Sequence, residues 1–207
     1  MNYFVTGIGT GIGKTFVSAI LTEALEADYW KPIQAGNLDH TDTDVVKNLV
    51  SNTQSKFHAE AFKLTSALSP HEAANRDGIE INLDEIILPQ TNNNLIIEGA
   101  GGLMVPINYK GDLVIDLIKQ FNASVVLVSK NYLGSINHTL LSVEALKNRN
   151  IPIAGIVFNE DDKLGSEEFI LKYTGLKCLL RIKSENKISK KLILQYKNKF
   201  FYQNAQS

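Results

Sequence analysis

The sequence contains Gly7-Ile8-Gly9-Thr10-Gly11-Ile12-Gly13-Lys14-Thr15, directly after the apolar run Tyr3-Phe4-Val5 and directly before a helical pattern. In a glycine-rich loop of this kind, successive backbone N–H groups bind phosphate oxygens, aided by the positive end of the following helix. The lysine reaches the outer phosphates, and the next hydroxyl reaches a magnesium ion. A turn without a ligand is the alternative, but the strand, the helix and Lys14-Thr15 together favour a nucleotide-binding loop.

The spacing within this loop is unusual. The common pattern has four residues between its leading glycine and Gly-Lys. Here position 8 is Ile, so that the leading glycine is Gly7 and five residues separate it from Gly13. The phosphate loop is therefore longer than the common form by one residue.

Composition places the chain among ordinary globular proteins. Its 207 residues are 44% hydrophobic and 21% charged, with a formal net charge of −1. This predicts one domain over residues 1–207 and gives no reason to expect nucleic acid or an anionic membrane as partner. The one cysteine, Cys178, excludes an internal disulfide and favours a cytoplasmic location. We identify no secretory signal and no apolar run long enough to span a bilayer.

Apolar runs alternate with amphipathic helical patterns along most of the chain. Strands are predicted at residues 2–6, 29–31, 94–98, 124–128, 151–158 and 177–180. Helices are predicted at 14–27, 43–50, 83–88, 113–121, 136–149 and 166–173, with one or two helical turns at 70–76. Strands that are apolar on both faces predict an α/β fold of the phosphate-loop type, with a mostly parallel sheet covered by helices on both faces. Functional groups of such a fold lie at the carboxyl ends of the strands.

The carboxyl-terminal tail, residues 184–207, is rich in lysine. We expect a terminal helix with Ile188, Leu192 and Ile193 facing inward and the lysines in water. A basic contact surface is the alternative.

Charged and polar residues end several of the predicted strands. Lys31 precedes Pro32, Glu98 ends the middle strand, and Asn159 and Glu160 follow the strand at 151–158. Because the carboxyl ends of parallel strands meet at one edge, we expect these groups to converge on the phosphate loop. Lys31 would there add a second cation near a transferred phosphoryl group, although an exposed lysine is the common alternative.

Two acidic positions are candidates for holding magnesium together with Thr15. Glu98 is followed by the glycine-rich run 99–102, which permits close approach of a ligand to the backbone. Asp44 lies in the acid-rich segment 39–44. The alternatives are a strand-end acid that accepts turn N–H bonds and an acid that caps a helix.

A glycine-led helix start follows the strand at 124–128. Ser135 within Gly134-Ser135-Ile136-Asn137-His138 is a plausible cap, and the free N–H groups of this turn could bind a carboxylate or a phosphate. Plain capping is the alternative.

Together these motifs resemble those of the dethiobiotin synthetases. The resemblance extends from Tyr3 to about Ile182 and includes the long phosphate loop. Its further motifs are Lys31-Pro32-Ile33 with Gly36, Thr43-Asp44, Glu98 to Gly102, Leu133 to His138, and Asn159. The order of these separate motifs makes the match specific.

The resemblance implies an ATP- and Mg²⁺-dependent reaction. One amine of 7,8-diaminononanoate takes up carbon dioxide as a carbamate, and the γ-phosphoryl group of ATP passes to that carbamate. The second amine then closes the ring to give dethiobiotin, ADP and phosphate. The substrate supplies both nucleophiles, which fits a sequence without a Ser-His or Cys-His arrangement.

The resemblance also implies roles for individual residues. The catalytic residues are Lys31, Lys14 and Thr10, and the magnesium ligands are Thr15, Asp44 and Glu98. The nucleotide-binding residues are Gly11, Ile12, Gly13, Lys14, Thr15, Phe16, Asp44, Glu98, Gly99, Ala100, Gly101, Asn159, Glu160, Leu180, Arg181 and Ile182. The substrate-binding residues are Thr10, Lys31, Ala35, Gly102, Leu133, Gly134, Ser135, Ile136 and Asn137, of which 134–137 come from the neighbouring subunit of a homodimer.

The sequence departs from the family pattern at three places. Gly11 stands where many members have Glu, Ala35 where they have a small hydroxyl residue, and residues 180–182 where they have a proline-containing base-binding loop. A regulatory ATPase of the chromosome-partitioning type is the rival on a related fold. Those loops carry an additional lysine near their start, and residues 7–13 contain none.

Overall fold

Seven parallel strands form the main sheet. The computed structural model describes the backbone of residues 1–205 and the side chains of residues 1–201. The strands are β1 (Asn2–Gly7), β2 (Asp28–Trp30), β3 (Ile33–Ala35), β4 (Phe57–His58), β5 (Phe62–Leu64), β6 (Leu95–Gly102), β7 (Ser124–Lys130), β8 (Ile153–Asn159) and β9 (Cys178–Ile182). Their order in the main sheet is β4-β2-β6-β1-β7-β8-β9, while β3 and β5 pair separately. Strand β1, which delivers the phosphate loop, therefore lies at the centre.

Helices cover both faces of this sheet. They are α1 (Lys14–Leu25), α2 (Asp42–Leu49), α3 (Pro70–Arg76), α4 (Val114–Gln120), α5 (Ser135–Lys147), α6 (Ser166–Thr174) and α7 (Lys190–Ala205). Because successive strand side chains point to opposite faces, Val5 packs in one apolar cluster with α1 and α7, and Phe4 packs in the other with α4, α5 and α6. This arrangement confirms the predicted fold class. Among the described residues, no helix combines the length and the apolar composition needed to cross a membrane.

The region between residues 51 and 90 differs from expectation. The short strands β4 and β5 were not predicted, because two or three residues carry no readable periodicity. The predicted helix at 83–88 is wrong: only Leu83–Glu85 forms a single 3₁₀ turn. Pro89 disfavours helical geometry at the residue before it, and the Gln120 amide donates to the carbonyls of Leu83 and Ile86 at 3.1 and 3.2 Å.

The terminal helix α7 packs on α1 through Ile193, Tyr196 and Phe200. The expectation that Ile193 faces inward is confirmed, since its side chain is fully buried. Ile188 is 45% exposed and precedes the helix, so its predicted inward position is wrong. Residues 206 and 207 of the tail lie outside the described residues.

Glu23 joins three helices. Its buried carboxylate on α1 accepts hydrogen bonds from the backbone N–H groups of Ser51 and Asn52, just after α2, at 2.6 and 3.0 Å. It also accepts from Lys197 Nζ on α7 at 3.3 Å. Burial alone would raise the pKa of Glu23, but the two N–H donors and the ammonium outweigh it and lower the pKa. The ionised carboxylate therefore stabilises the packing of α1 against α2 and α7.

We expect Glu23→Gln to lower the free energy of unfolding at pH 7 by about 1–3 kcal/mol, since a buried charged acceptor is lost. Because the folded-state pKa is depressed, this contribution is present above the ordinary pKa and is lost as pH falls through the folded-state pKa. Urea unfolding of both proteins at neutral and acidic pH measures the difference. Glu168→Gln, at an exposed position of α6, is the matched control. An equal loss at both pH values would contradict the ionic contribution.

Candidate active site

A cavity of about 690 Å³ opens at the carboxyl ends of β1, β2 and β6. Its lining includes polar and charged groups from the phosphate loop, Lys31 and Glu98. It also includes apolar side chains from Ile33, Leu68 and Val105. The cavity therefore fits a ligand with an anionic part and an aliphatic part.

Contacts within the phosphate loop and with the end of β8 hold the loop in shape. Gly13 has φ 95°, and a Cβ there would lie 2.4 Å from the amide nitrogen of Asn159, so this position requires glycine. Asn159 Nδ2 donates to the Ile12 carbonyl at 2.8 Å, which joins the end of β8 to the loop. Lys14 Nζ crosses the loop and donates to the Gly9 carbonyl at 3.0 Å.

Burial and neighbouring charges set the pKa of Lys14. Burial lowers this pKa to about 8 from the ordinary 10.5, the Glu98 carboxylate opposes the decrease, and the Lys31 ammonium adds to it. An anion entering the cavity would offset the desolvation of this ammonium.

Strand register brings Lys31 and Glu98 together. Tyr29 pairs with Ile96 and Trp30 with Ile97, so one further step sets Lys31 opposite Glu98. Lys31 Nζ lies 3.2 Å from Glu98 Oε1 and 2.5 Å from Asp42 Oδ2. Burial would lower the pKa of Lys31, but the two carboxylates outweigh it and raise the pKa. Lys31 is thus a buried, charged ammonium at the edge of the cavity, only 5% exposed.

Three oxygen donors converge beside this ammonium. The Thr15 hydroxyl lies 2.8 Å from Glu98 Oε1 and 3.2 Å from Asp42 Oδ1. A hydroxyl and two carboxylates, facing a cavity that can admit phosphates and water, suit the oxygen preference of Mg²⁺. The residues present therefore fit a magnesium ion.

Asp42, and not Asp44, occupies the position beside Thr15. The Asp44 carboxylate accepts from the backbone N–H and the hydroxyl of Thr41, both at 2.9 Å, in a capping box at the start of α2. The predicted placement of Asp44 with Thr15 and Glu98 is thereby corrected. The pattern Thr-x-x-Asp could have assigned Asp44 to the cap and left Asp42 free, because the third helical residue of a capping box turns back to the first N–H.

Formal charges in this cluster cancel. Lys14 and Lys31 contribute two positive charges, and Asp42 and Glu98 contribute two negative ones. A triphosphate would bring several negative charges into a site with no net charge of its own. A divalent cation is the natural source of the missing positive charge.

Tyr29 is a member of this cluster that the sequence motifs did not predict. It is fully buried on β2, and its hydroxyl donates to Glu98 Oε2 at 3.0 Å. Burial, followed by the Glu98 charge, raises the pKa of Tyr29 well above 10, so the hydroxyl keeps its proton. An isolated tyrosine in an apolar run carries no signal for this contact.

Many of the predicted site residues border the cavity: Thr10, Gly11, Gly13, Lys14, Thr15, Lys31, Ala35, Glu98, Ala100 and Gly101. The side chains of Leu180 and Ile182 are buried in the core, and Arg181 instead pairs with Glu167 at 2.5 Å. Phe16 packs edge-on against Tyr196. Gly99 contacts Phe4, Gly102 borders a second cavity, and Glu160 pairs with Lys130. The structure therefore brings only part of the predicted site residues together at the main cavity.

Residues Leu133, Gly134, Ser135, Ile136 and Asn137 do not line the main cavity of their own chain. Leu133 is 91% exposed. Helix α5 lines a second cavity of about 390 Å³ from His138 onward, and this cavity shares Thr10 with the first.

The sequence is similar over most of its length to proteins of a known family. A family model described as an AAA domain matches residues 1–191. The ATP-dependent dethiobiotin synthetase of Cytophaga hutchinsonii is 55% identical over 200 residues, covering 96% of each chain. The chain belongs to the ATP-dependent dethiobiotin synthetase family. The synthetases of Christiangramia forsetii and Chlamydia abortus are 51% and 44% identical, with 96% of this chain and 95% and 93% of theirs covered. The predicted family and enzyme class are thus confirmed.

Solved structures show the same architecture at much lower sequence identity. The cell division ATPase MinD of Pyrococcus furiosus has a TM-score of 0.62 at 14% identity, with 97% of this chain and 98% of that chain covered. A ParA family ATPase from Chlorobium tepidum has a TM-score of 0.56 at 13% identity, with 100% and 93% covered. The synthetase family therefore shares its fold with these ATPases, and this likeness concerns the fold alone.

Proposed function

We propose that this protein converts 7,8-diaminononanoate, carbon dioxide and ATP to dethiobiotin, ADP and phosphate in biotin biosynthesis. The observation that carries the proposal is the buried Lys31 ammonium, held between Asp42 and Glu98 beside the phosphate loop. Two anions, a carbamate and a triphosphate, must approach each other in this reaction. Fixed cations at that point offset their repulsion.

Nucleotide binding is assigned to the phosphate loop and the start of α1. The N–H groups of residues 11–16 bind the phosphate oxygens, and Lys14 exchanges its bond to the Gly9 carbonyl for the outer phosphates. Asn159, already bonded to the loop, contacts the base with the remaining capacity of its amide. The proposed further contacts with the nucleotide come from backbone groups of residues 180–182, because the side chains of these residues are buried or paired elsewhere.

Thr15, Asp42 and Glu98 would hold Mg²⁺ through one hydroxyl and two carboxylates. The chemistry that Mg²⁺ supplies in such a site is neutralisation of charge on the phosphate oxygens. Asp42 replaces Asp44 in this set because the Asp44 carboxylate is engaged in capping α2.

The covalent steps need no nucleophile from the chain. A substrate amine attacks carbon dioxide and loses a proton, which gives a carbamate. A carbamate oxygen then attacks the γ-phosphorus, and the bond from that phosphorus to the β,γ-bridging oxygen breaks to release ADP. The second amine attacks the carbamoyl carbon and loses a proton, the C–O bond to phosphate breaks, and the ureido ring closes as phosphate leaves. Lys31 stabilises the negative charge around the transferred phosphoryl group, and Thr10 at the mouth of the cavity contacts the diamine or the carbamate.

We further infer a homodimer in which the helix start at 134–137 of a second copy receives the substrate carboxylate. Two large apolar side chains that line the second cavity with Thr10 are exposed, Leu141 at 61% and Met104 at 54%. Leu133, just before α5, is 91% exposed. A surface of this composition beside the cavity is consistent with coverage by another chain.

The decisive assay measures ADP release with each substrate omitted in turn. The proposal predicts release that requires both the diamine and bicarbonate. Steady ATP hydrolysis that is indifferent to the diamine would favour a regulatory ATPase. No hydrolysis under either condition would favour a nucleotide-binding module without turnover.

A further inference from the structure

Tyr29 lies behind the cavity and not in its wall. Its side chain is fully buried on β2, and its hydroxyl donates to Glu98 Oε2 at 3.0 Å. It cannot touch a ligand in the cavity from this position. The Tyr29 hydroxyl therefore acts on the site through its hydrogen-bond partner Glu98.

The two oxygens of Glu98 have different partners. Oε2 accepts from Tyr29, whereas Oε1 faces the Thr15 hydroxyl at 2.8 Å and the Lys31 ammonium at 3.2 Å. Glu98 is only 1% exposed, so bulk water contributes little to its solvation and the protein donors matter more. The terminal torsion of a glutamate is broad, and a hydrogen bond to one oxygen restricts it.

The Tyr29 hydroxyl is itself held rigidly. Strand β2 pairs with β6 on one side and with β4 on the other, and Tyr29 N–H donates to the Lys56 carbonyl at 2.8 Å. The Tyr29 ring contacts Phe57 with ring centroids 6.3 Å apart. A donor fixed by backbone pairing on both sides can fix the acceptor that it contacts.

We propose that Tyr29 is a positioning residue whose hydroxyl orients Glu98 so that Oε1 faces the cation and phosphate end of the cavity. The inference rests on the proposed function, which gives the orientation of Glu98 its importance. It adds a residue outside the cavity that sets the affinity for the divalent cation. Loss of the hydroxyl leaves Oε2 without its donor and frees the carboxylate to rotate, so that Oε1 is no longer held toward Thr15 and the proposed cation position.

The test is Tyr29→Phe, which keeps the ring and removes only the hydroxyl. Calorimetry measures how strongly ADP binds with Mg²⁺ and with a chelator present. We expect Mg²⁺ to tighten ADP binding about 10–100-fold less in the variant, with metal-free ADP affinity within a few-fold of the parent. Tyr109→Phe is the matched control, because Tyr109 also donates to a carboxylate, Glu72, but at an exposed site.

A double-mutant cycle with Glu98→Gln separates positioning from packing. If Tyr29 acts through Glu98, the effect of Tyr29→Phe on the Mg²⁺ dependence should largely disappear in the Glu98→Gln background. The proposal is overturned by an unchanged Mg²⁺ dependence in Tyr29→Phe, by additive effects in the cycle, or by loss of the fold. Because the readout is binding of Mg²⁺ and ADP, it stands apart from the diamine assay, in which failure of the proposed function would appear.

Discussion

Lys31→Met should reduce turnover by about 10²–10³-fold while ADP affinity stays within a few-fold of the parent. Methionine keeps most of the length and packing of the buried side chain but removes the ammonium that lies between Asp42 and Glu98. Because Lys14 and the loop N–H groups remain, nucleotide binding persists. The ammonium interacts more strongly with the transition state, in which charge spreads over the transferred phosphoryl group, than with the bound substrates. Its loss therefore lowers kcat more than it raises KM.

The measurement is steady-state ADP release with the diamine and bicarbonate, together with calorimetric titration of ADP. Lys63→Met is the control, because Lys63 pairs with Glu60 through an exposed side chain. Turnover within a few-fold of the parent would remove Lys31 from the chemistry. Loss of ADP binding in Lys31→Met would instead assign the residue to nucleotide binding.

Asp42→Asn should raise the Mg²⁺ concentration needed for half-maximal turnover by at least about tenfold. The substitution removes the negative charge 3.2 Å from the Thr15 hydroxyl and also the closer of the two ion-pair partners of Lys31. A neutral amide is a weaker ligand for a hard cation than a carboxylate. The effect should therefore be largest at low Mg²⁺ and decrease as Mg²⁺ is raised.

Asp44→Asn provides the matched comparison two residues away. Its carboxylate accepts from the N–H and hydroxyl of Thr41, so the substitution should weaken the start of α2 and lower the melting temperature slightly. The Mg²⁺ titration should overlap that of the parent. The reverse outcome, a changed requirement in Asp44→Asn and an unchanged one in Asp42→Asn, would return the metal role to Asp44.

The candidate site shows which functional residues local sequence patterns can predict. The phosphate loop was predictable because glycine, lysine and hydroxyl at fixed spacing between a strand and a helix rarely occur without a nucleotide to bind. Lys31 was predictable because it follows a strand directly, and parallel strands bring their carboxyl ends to one edge. Glu98 was predicted to end its strand, which is wrong, since β6 continues to Gly102. The choice between Asp42 and Asp44 depended on which of the two turns back to cap α2, and the capping pattern that decides it is itself local.

The region from residue 51 to residue 90 shows where local patterns fail. Strands β4 and β5 of this region are only two and three residues long, and they form by pairing with β2 and β3, which lie much earlier in the chain. Residues 83–88 are rich in apolar side chains, yet Pro89 disfavours helical geometry at Leu88, and the Gln120 amide donates to the carbonyls of Leu83 and Ile86. The proline is a local signal, whereas the strand pairings and the Gln120 contacts join residues far apart in the chain, which no short window of the sequence contains.

By itself the sequence determined the class of this protein: a parallel sheet covered on both faces, a phosphate loop longer than the common form, and motifs that together resemble one synthetase family. These features are local, because periodicity and spacing are properties of short segments. Only the tertiary structure decided that Lys31 is buried between Asp42 and Glu98, and that Tyr29 holds the far oxygen of Glu98. The physical reason is strand register: the pairing of β2 with β6 sets which side chains meet, and a shift of one residue would turn Tyr29 and Lys31 to the opposite face.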